Sequence, residues 1–174
     1  GSSDDFNWEI SIGYAWSLDN IVWNVLPDPV LGKGEPGSWE ENAVYKPAVY
    51  FDGNTYHMWY NGYEGTLLTA PDLVGYATST DGINWSKDTV HNPVMNLGEP
   101  GTFFDTWVQS SCVLFLENEY KMWFAGYDST SVIPMRYFRI GYATSPDGIE
   151  WTVQNDSMAV LDVGLFSAWD EYRV

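Results

Sequence analysis

The segment Gly75-Tyr76-Ala77-Thr78-Ser79-Thr80-Asp81-Gly82-Ile83-Asn84-Trp85 is the key to the architecture, because the chain contains three related copies of it. The copies begin at Gly13, Gly75 and Gly141, which are 62 and 66 residues apart. Each copy runs through an aspartate to a tryptophan: Asp19 to Trp23, Asp81 to Trp85 and Asp147 to Trp151. Regular self-similarity of this kind indicates a repeated structural unit.

Each unit has the pattern of short antiparallel strands. Residues 44–51 and 55–61 are rich in aromatic and β-branched side chains, and Asp52-Gly53-Asn54 separates them as a turn. Asp81-Gly82 and Asp147-Gly148 are also predicted turns, since glycine accepts the positive φ that tight hairpins require. No segment keeps a 3.6-residue apolar period, so we expect essentially no helix.

Four antiparallel strands in each unit, repeated around an axis, predict an all-β fold of β-propeller blades in an incomplete ring. We expect residues 1–5 to be a cloning remnant and a disordered start, and residues 6–174 to form a single partial propeller domain. Within it we predict an outer half-blade at 6–26, blades at 44–90 and 108–156, and a lead-in to a further blade at 157–174.

Closed propellers have about four to eight blades, so this chain predicts an open arc. An open arc exposes an unpaired strand edge and a bare blade face, and such surfaces favour association. Two alternatives stay open. Either further blades of a longer polypeptide cover these surfaces, or the chain closes by self-association into an oligomer.

The motifs that define the blades are Lys46-Pro47-Ala48-Val49, Tyr56-His57-Met58-Trp59-Tyr60 and Gly75-Tyr76-Ala77-Thr78-Ser79. In these motifs the chain resembles the five-bladed β-propeller glycosidase superfamily of arabinanases, levansucrases and invertases. Its Ser-x-Asp-Gly turns are also similar to the peripheral Asp boxes of sialidase-type propellers, so we expect Asp81 and Asp147 to be turn residues. The resemblance implies a glycoside hydrolase that acts by paired carboxylates at an axial pocket.

In that superfamily the catalytic carboxylates come from separate blades, at or just before the innermost strands. Hydrolysis needs one carboxylic acid to protonate the leaving oxygen and a second carboxylate to activate water or attack carbon. The equivalent segments of this chain offer five candidate catalytic acids: Glu40, Glu41, Asp105, Asp170 and Glu171. Recurrence in every blade is equally typical of a structural residue that caps a strand, so both roles stay open.

Aromatic side chains favour a carbohydrate partner, because the C–H faces of sugars pack on indole and phenol rings. The candidate substrate-binding residues, in the segments expected at the mouth of the channel, are Trp39, Lys46, Trp107, Gln109 and Trp169. Trp107 departs most clearly from the repeat. Members of the superfamily commonly have Asp-Pro where this chain has Lys46-Pro47, and the second copy has Ser110-Ser111 instead.

The composition limits the partners. Among 174 residues, 24 acidic and 7 basic side chains give a net charge of -17, which repels a phosphate backbone and argues against nucleic acid. A hydrophobic content of 45% with 17% aromatic residues excludes ordinary disorder. No apolar stretch approaches the roughly 18 residues that a membrane span needs, so we expect no membrane partner.

Metal and cofactor chemistry has no sequence signal. His57 and His91 form no cluster with Cys112, and neither a calcium loop nor a phosphate loop occurs. We therefore predict no metal site and no cofactor. Cys112 lies in an apolar run and is expected to be buried. Acidity and carbohydrate chemistry favour a secreted or periplasmic location.

Three hypotheses for function follow. The first is a carbohydrate-active propeller of the glycoside hydrolase type. The second is a noncatalytic carbohydrate-binding or assembly module that forms half a propeller. The third, a phosphorylase, needs a basic phosphate pocket, for which Arg136 and Arg139 are the candidates.

Overall fold

A computed structural model of the chain describes residues 10–65, 70–129, 137–165 and 170, with Ser110 and Ser111 described by their backbone alone. The strands in this part of the chain are β1 (Ala15–Trp16), β2 (Asn24–Val25), β3 (Ala43–Phe51), β4 (Tyr56–Tyr63), β5 (Leu73–Ser79), β6 (Ser86–Lys87), β7 (Trp107–Leu116), β8 (Glu119–Tyr127), β9 (Arg139–Ser145) and β10 (Thr152–Val153). The helical structure described is one 3-10 turn at Asn155–Ser157, which is too short to cross a membrane.

The strands form antiparallel sheets that follow the sequence repeat. Blade two consists of β3, β4, β5 and β6 side by side in that order, and blade three consists of β7, β8, β9 and β10 in the same arrangement. Blade one is represented in the described residues by β1 paired with β2. The expected all-β fold, with four-stranded antiparallel blades in an incomplete ring, is confirmed.

The inner strands β3 and β7 contact each other across the interface between blades two and three. Each strand has a β-bulge at the same point, between Tyr45 and Ala48 in β3 and between Ser110 and Cys112 in β7. Lys46 has a φ of 50° within the first bulge. Pro47 is tolerated next to it, because a residue without an N–H group loses no ladder hydrogen bond where the register is interrupted.

The core between blades two and three is built around the buried indole of Trp59. Its ring centroid lies 5.3 Å from that of Tyr120 and 6.1 Å from that of Trp151. Trp59 Nε1 donates a hydrogen bond to the carbonyl oxygen of Gly148 at 2.7 Å, which joins blade two to blade three. A smaller cluster around Met58 and Tyr60 fills the space between blades one and two.

The Gly148 carbonyl group, which accepts from Trp59, belongs to the Asp-Gly turn of blade three. Asp147 Oδ1 accepts hydrogen bonds from the backbone N–H groups of Ile149 and Glu150, both at 2.9 Å. Burial acts to raise the pKa of Asp147, but these hydrogen bonds lower it on balance. Gly148 has a φ of 80°, and a Cβ there would lie 2.7 Å from the Trp59 ring, so the turn requires glycine.

The same turn recurs in blades one and two. Asp81 Oδ1 accepts from the N–H groups of Ile83 and Asn84, and Asp19 Oδ1 accepts from those of Ile21 and Val22. Each aspartate also accepts a hydrogen bond from the serine hydroxyl two residues before it. The prediction that Asp81 and Asp147 are turn residues is confirmed.

The prediction that Cys112 is buried is wrong. Cys112 is exposed on β7, whereas its neighbour Val113 points into the core shared with blade two. Ala48, which holds the matching position in β3, packs against that same core. The difference arises because blade three covers this face of blade two, while no blade within the described residues covers the corresponding face of blade three.

We predict that Trp59→Phe lowers the free energy of unfolding by about 1–3 kcal/mol, because it removes a buried hydrogen-bond donor between two blades. Trp123→Phe is the matched control, since Trp123 holds the same place in β8 as Trp59 in β4. Urea unfolding followed by circular dichroism measures both variants. Equal losses for the two would contradict the role given to the Trp59 contact.

Candidate functional site

The candidate site lies where the inner strands of blades two and three begin. Tyr45 and Lys46 come from β3, Trp107 and Gln109 come from β7, and Asp72 immediately precedes β5. Because neighbouring strands of a blade are antiparallel, the first and third strands begin at the same end of the blade. The fold thus brings three predicted substrate-binding residues into one place.

Hydrogen bonds connect Tyr45, Lys46, Asp72 and Gln109 into one network. Lys46 Nζ donates to Gln109 Oε1 at 2.5 Å. Gln109 Nε2 donates to Asp72 Oδ2 at 2.5 Å and to the Tyr45 hydroxyl oxygen at 3.2 Å. The Tyr45 hydroxyl group also donates to the Asp72 carboxylate, and the Trp107 side chain lies beside it. Asp72 is consequently the acceptor on which the network converges.

Burial controls the electrostatics of Asp72, which is 2% exposed. Burial raises the pKa of its carboxyl group, and the hydrogen bonds from Gln109 and Tyr45 offset only part of that rise. The pKa of Tyr45 is raised as well, by its own burial and by the negative charge of Asp72, so the phenol keeps its proton and donates. Asp72 therefore holds a proton more readily than an aspartate in water.

Backbone contacts fix this network across the interface between the blades. The side chain of Asn61, which is fully buried in β4, donates from Nδ2 to the carbonyl oxygens of Leu73 at 3.2 Å and Val108 at 3.1 Å. The Val108 N–H group donates to the Asp72 carbonyl oxygen at 3.3 Å. Asp72 is thereby held against β7 by main-chain as well as side-chain contacts.

Aromatic rings flank the network at the same end of the blades. The Trp107 ring centroid lies 4.7 Å from that of Tyr127 and 5.4 Å from that of Phe138. The rings of Tyr45 and Tyr63 meet edge to face at 6.1 Å on the other side of the interface. A buried acid beside half-buried Trp107 and Tyr45 combines polar and apolar surface, which is typical of a sugar-binding site.

Asp72 and Tyr45 were not predicted from the sequence. The backbone pairing superimposes blade two on blade three and places Asp72 opposite Phe138 and Tyr45 opposite Gln109. Both positions therefore differ between the two repeats. This difference is the sequence signal that could have identified them, as it identified Trp107, which stands opposite Ala43.

Glu41 and Asp105, two of the predicted catalytic acids, close equivalent turns. Glu41 Oε2 accepts from the Gly37 N–H group at 2.5 Å, and Asp105 Oδ2 accepts from the Gly101 N–H group at 2.8 Å. Asp105 Oδ1 also accepts from the Ser129 N–H group at 2.8 Å. Although burial opposes the shift, these hydrogen bonds lower the pKa of Asp105. A catalytic role for either acid stays a prediction.

Glu40, another predicted catalytic acid, is buried in an ion pair. Its Oε1 atom lies 2.7 Å from Lys87 Nζ, at the outer strand β6. Burial and the neighbouring Glu40 charge raise the pKa of the Tyr60 phenol. Trp39, a predicted sugar-binding residue, stacks on Tyr60 at 6.0 Å. Glu40 and Trp39 lie in the segment before β3 and pack against blade two. They are outside the network of Asp72.

The third group of predicted residues is described only in part. The Gly164 N–H group donates to the Asp170 carbonyl oxygen at 2.9 Å, as Gly34 does to Glu40 at 3.0 Å, so the backbone at Asp170 repeats that at Glu40. Trp169 and Glu171 lie outside the described residues. Their predicted roles in substrate binding and catalysis stay predictions.

The phosphate-pocket candidates are Arg136, which lies outside the described residues, and Arg139. Arg139 Nη1 lies 2.8 Å from Asp128, and its Nε lies 2.8 Å from Asp162. The guanidinium is thus already paired with two carboxylates. Within the described ranges, no three His, Cys, Asp or Glu side chains come together as a metal-binding group.

Comparison with known proteins relates the chain to carbohydrate-active enzymes. No protein-family model matches it. An uncharacterised protein of Mycobacterium tuberculosis, MT1551, is 31% identical over 151 residues, which are 83% of this chain and 44% of that protein. A β-1,2-mannobiose phosphorylase of a Thermoanaerobacter species is 27% identical over 134 residues, or 71% of this chain and 42% of the enzyme. The chain therefore spans less than half the length of these relatives.

Solved structures of the same fold include glycoside hydrolases. One of them covers 87% of this chain with 25% identity and a TM-score of 0.65, and the match takes in 43% of that protein. Hydrolases of families 117 and 32 share the fold at lower identity. The resemblance to propeller glycosidases is confirmed: the chain is an incomplete β-propeller of the type found in glycoside hydrolases.

The Glu40–Lys87 pair offers a test inside the repeat, because Phe104 and Val153 hold the matching positions in blade three. We predict that Lys87→Val lowers the free energy of unfolding by about 3 kcal/mol, since it leaves a buried carboxylate unpaired. The double variant Glu40→Phe, Lys87→Val should regain most of that loss. Urea unfolding of the wild type, the single variant and the double variant measures these free energies. A double variant as unstable as Lys87→Val would contradict the idea that the apolar pair can replace the ion pair.

Asp72 should make stability depend on pH. Because burial raises its pKa in the folded state, the folded protein binds the proton more tightly, and stability falls as pH rises from about 4 through the folded pKa. We predict that Asp72→Asn removes this fall. Asp105→Asn is the control with opposite sign: the lowered pKa of Asp105 contributes stability above its unfolded pKa that is lost on acidification. Denaturant unfolding between pH 3 and 8 distinguishes them, and parallel profiles for wild type and Asp72→Asn would contradict the assignment.

Proposed function

We propose that the chain contributes a sugar-binding wall and a proton-donating acid, Asp72, to the pocket of a glycoside hydrolase. The observation that supports this is the convergence of Tyr45, Trp107 and Gln109 on a buried carboxyl group with a raised pKa. A raised pKa is characteristic of the acid that protonates a leaving group near neutral pH. Structural carboxylates of this chain, such as those of Asp81 and Asp147, have lowered pKa values instead.

The proposed chemistry is proton donation to the glycosidic oxygen. A protonated Asp72 transfers its proton to that oxygen while the bond between the oxygen and the anomeric carbon breaks, and the departing sugar leaves as an alcohol. Gln109 and Tyr45 hold the carboxyl group, and their hydrogen bonds stabilise the carboxylate that the transfer leaves behind. The proposal assigns Asp72 this role alone; a second carboxylate, as base or nucleophile, completes the reaction.

A neutral sugar suits the polar and apolar surfaces of this site. The ring faces of Trp107 and Tyr45 offer apolar surface for C–H groups, while Lys46 Nζ is an exposed donor for hydroxyl oxygens. The relative that cleaves β-1,2-mannobiose suggests β-mannosides as the first substrates to test. The net charge of -17 disfavours anionic polysaccharides as ligands.

Phosphorolysis is the second candidate, because one relative is a phosphorylase. It requires a cation that can bind inorganic phosphate beside the sugar. Lys46 is the exposed cation of the Asp72 network, whereas Arg139 is already paired with Asp128 and Asp162. Lys46 is a single cation that already donates to Gln109, so we propose hydrolysis first and phosphorolysis with Lys46 as the alternative.

The decisive experiment combines binding and turnover. Calorimetric titration and product analysis would use β-1,2-mannobiose first and then arabinose-, fructose- and galactose-type oligosaccharides, each with and without inorganic phosphate. We predict that Asp72→Asn lowers turnover by about 100-fold with little change in sugar binding. Asp105→Asn, an acid-to-amide change at the same end of blade three, should leave turnover within about threefold.

The outcomes separate the hypotheses. A dependence of turnover on phosphate would favour the phosphorylase. Sugar binding without turnover in any condition would favour the noncatalytic binding module. Loss of turnover in Asp105→Asn, with Asp72→Asn unaffected, would transfer the acid role to the candidate that the sequence indicated. Failure to bind any of these sugars would refute the proposed pocket.

A further inference from the structure

The side-chain amide of Gln109 lies between a cation and an acid. Its oxygen, Oε1, accepts from Lys46 Nζ at 2.5 Å, and its nitrogen, Nε2, donates to Asp72 Oδ2 at 2.5 Å. Gln109 is 5% exposed, so these protein groups take the place of water around the amide. The orientation of the amide is therefore decided by its neighbours rather than by solvent.

Lys46 permits one orientation of this amide. An ammonium group has three donors and no acceptor, so the atom of Gln109 that faces Lys46 has to be the oxygen. The two donors of Nε2 then point the other way, to the Asp72 carboxylate and to the Tyr45 hydroxyl oxygen at 3.2 Å. The cation thus makes Gln109 a donor toward the buried acid.

The reversed amide would suit a different state of Asp72. With Oε1 of Gln109 turned toward the acid, two acceptor oxygens would face each other unless Asp72 carried a proton and donated it. A hydrogen bond to the charged form of an acid favours ionisation, whereas a hydrogen bond to the neutral form favours protonation. The orientation of the amide is consequently coupled to whether Asp72 holds its proton.

A β-bulge brings Lys46 to this amide from the neighbouring blade. Lys46 lies where the pairing of β3 with β4 is interrupted, and its φ of 50° is uncommon for a residue other than glycine. Gln109 belongs to β7 of blade three. The repeat places Ser110 opposite Lys46. Lys46 is thus a departure from the repeat, as Asp72 is, and Gln109 joins the two.

Lys46 is the cation that acts on Asp72 in this network. Tyr45 faces Asp72 from β3, and Tyr63 of β4 lies within range of its charge; both are phenols whose pKa is raised by burial. β7 contributes the amide of Gln109, which does not titrate. The charge of Lys46 lowers the pKa of Asp72 against the effect of burial.

We propose that Lys46 is a positioning residue that acts through Gln109 and sets how firmly Asp72 holds its proton. The ammonium group fixes the amide with its N–H groups toward Asp72, and the amide in turn stabilises the carboxylate. This role of Lys46 rests on the proposed function, in which Asp72 is the acid of the site. A general acid works best when its pKa lies near the working pH, and Lys46 limits the rise that burial causes.

Titration of Asp72 tests the role of Lys46 without any substrate. In protein with isotope-labelled aspartate carboxyl groups, the NMR resonance that is missing from Asp72→Asn reports the protonation of Asp72. We predict that Lys46→Met moves the midpoint of this titration upward by at least about half a pH unit. Lys46→Arg, which keeps a cation without an acceptor, should move the midpoint by less than half as much. Lys46→Gly, which a φ of 50° accommodates, repeats the loss of the cation if Lys46→Met does not fold.

Two comparisons separate the action through Gln109 from a general effect of charge. Lys121→Met removes a cation that pairs with Glu117 near the start of β8, whereas Tyr127 at the end of β8 contacts the candidate site. It should leave the midpoint where it is in wild type. In a Gln109→Met background, Lys46→Met should have less than half of its effect in wild type, because the amide that transmits it is gone. An equal effect in both backgrounds would show that the charge acts directly and would overturn the proposal.

Turnover distinguishes failure of this role from failure of the proposed function. With a substrate that the protein cleaves, Lys46→Met should move the alkaline limb of the kcat/KM profile upward by the same amount as the midpoint, since that limb follows deprotonation of the acid. A midpoint that moves in a protein without turnover supports the role of Lys46 and contradicts the catalytic role of Asp72. A midpoint that stays at its wild-type position in folded Lys46→Met or Lys46→Gly overturns the role of Lys46, whatever the turnover.

Discussion

The hydrogen bond from the Trp59 indole to the Gly148 carbonyl group connects local turn chemistry to the architecture. Asp147 forces the turn, glycine provides the positive φ and the space for the indole, and the carbonyl group then points toward the neighbouring blade. A four-stranded sheet has two apolar faces and cannot bury both alone. The spacing of the Asp-Gly turns along the chain therefore sets the spacing of the blades.

The candidate site depends on the same interface between blades. Asp72 belongs to blade two, but Gln109 and the Val108 N–H group that hold it belong to blade three. Neither blade alone could keep this carboxyl group buried and hydrogen-bonded. The chemistry attributed to Asp72 is thus a property of the packed pair, and weakening the interface would expose the acid and return its pKa toward that of an aspartate in water.

The sequence allowed the blades and turns to be predicted because both follow short local patterns. Strand alternation does not reveal which sheet faces are covered, and Cys112 was consequently expected to be buried although it is exposed. The network around Asp72 could not be predicted because it depends on the β-bulge that places Lys46 and on the contact of β3 with β7. The sequence identified Lys46, Trp107 and Gln109 one by one, but it did not identify Asp72, the buried acid beside which they lie.

Comparison of the two complete blades separates two kinds of residue. Positions that keep their chemistry, such as Glu41 with Asp105, make the same turn contact in both blades and maintain the repeat. A position that changes is informative only when its partner does not change to match it. Glu40 and Lys87 of blade two match Phe104 and Val153 of blade three. An ion pair in one blade is thus replaced by two apolar side chains in the other. Asp72 of blade two matches Phe138 of blade three, so the acid is not repeated. Its hydrogen-bond donor Gln109 lies in blade three and does not belong to the same repeat unit. Such an uncompensated difference is where a site can be built on a repeated scaffold without disturbing the blades.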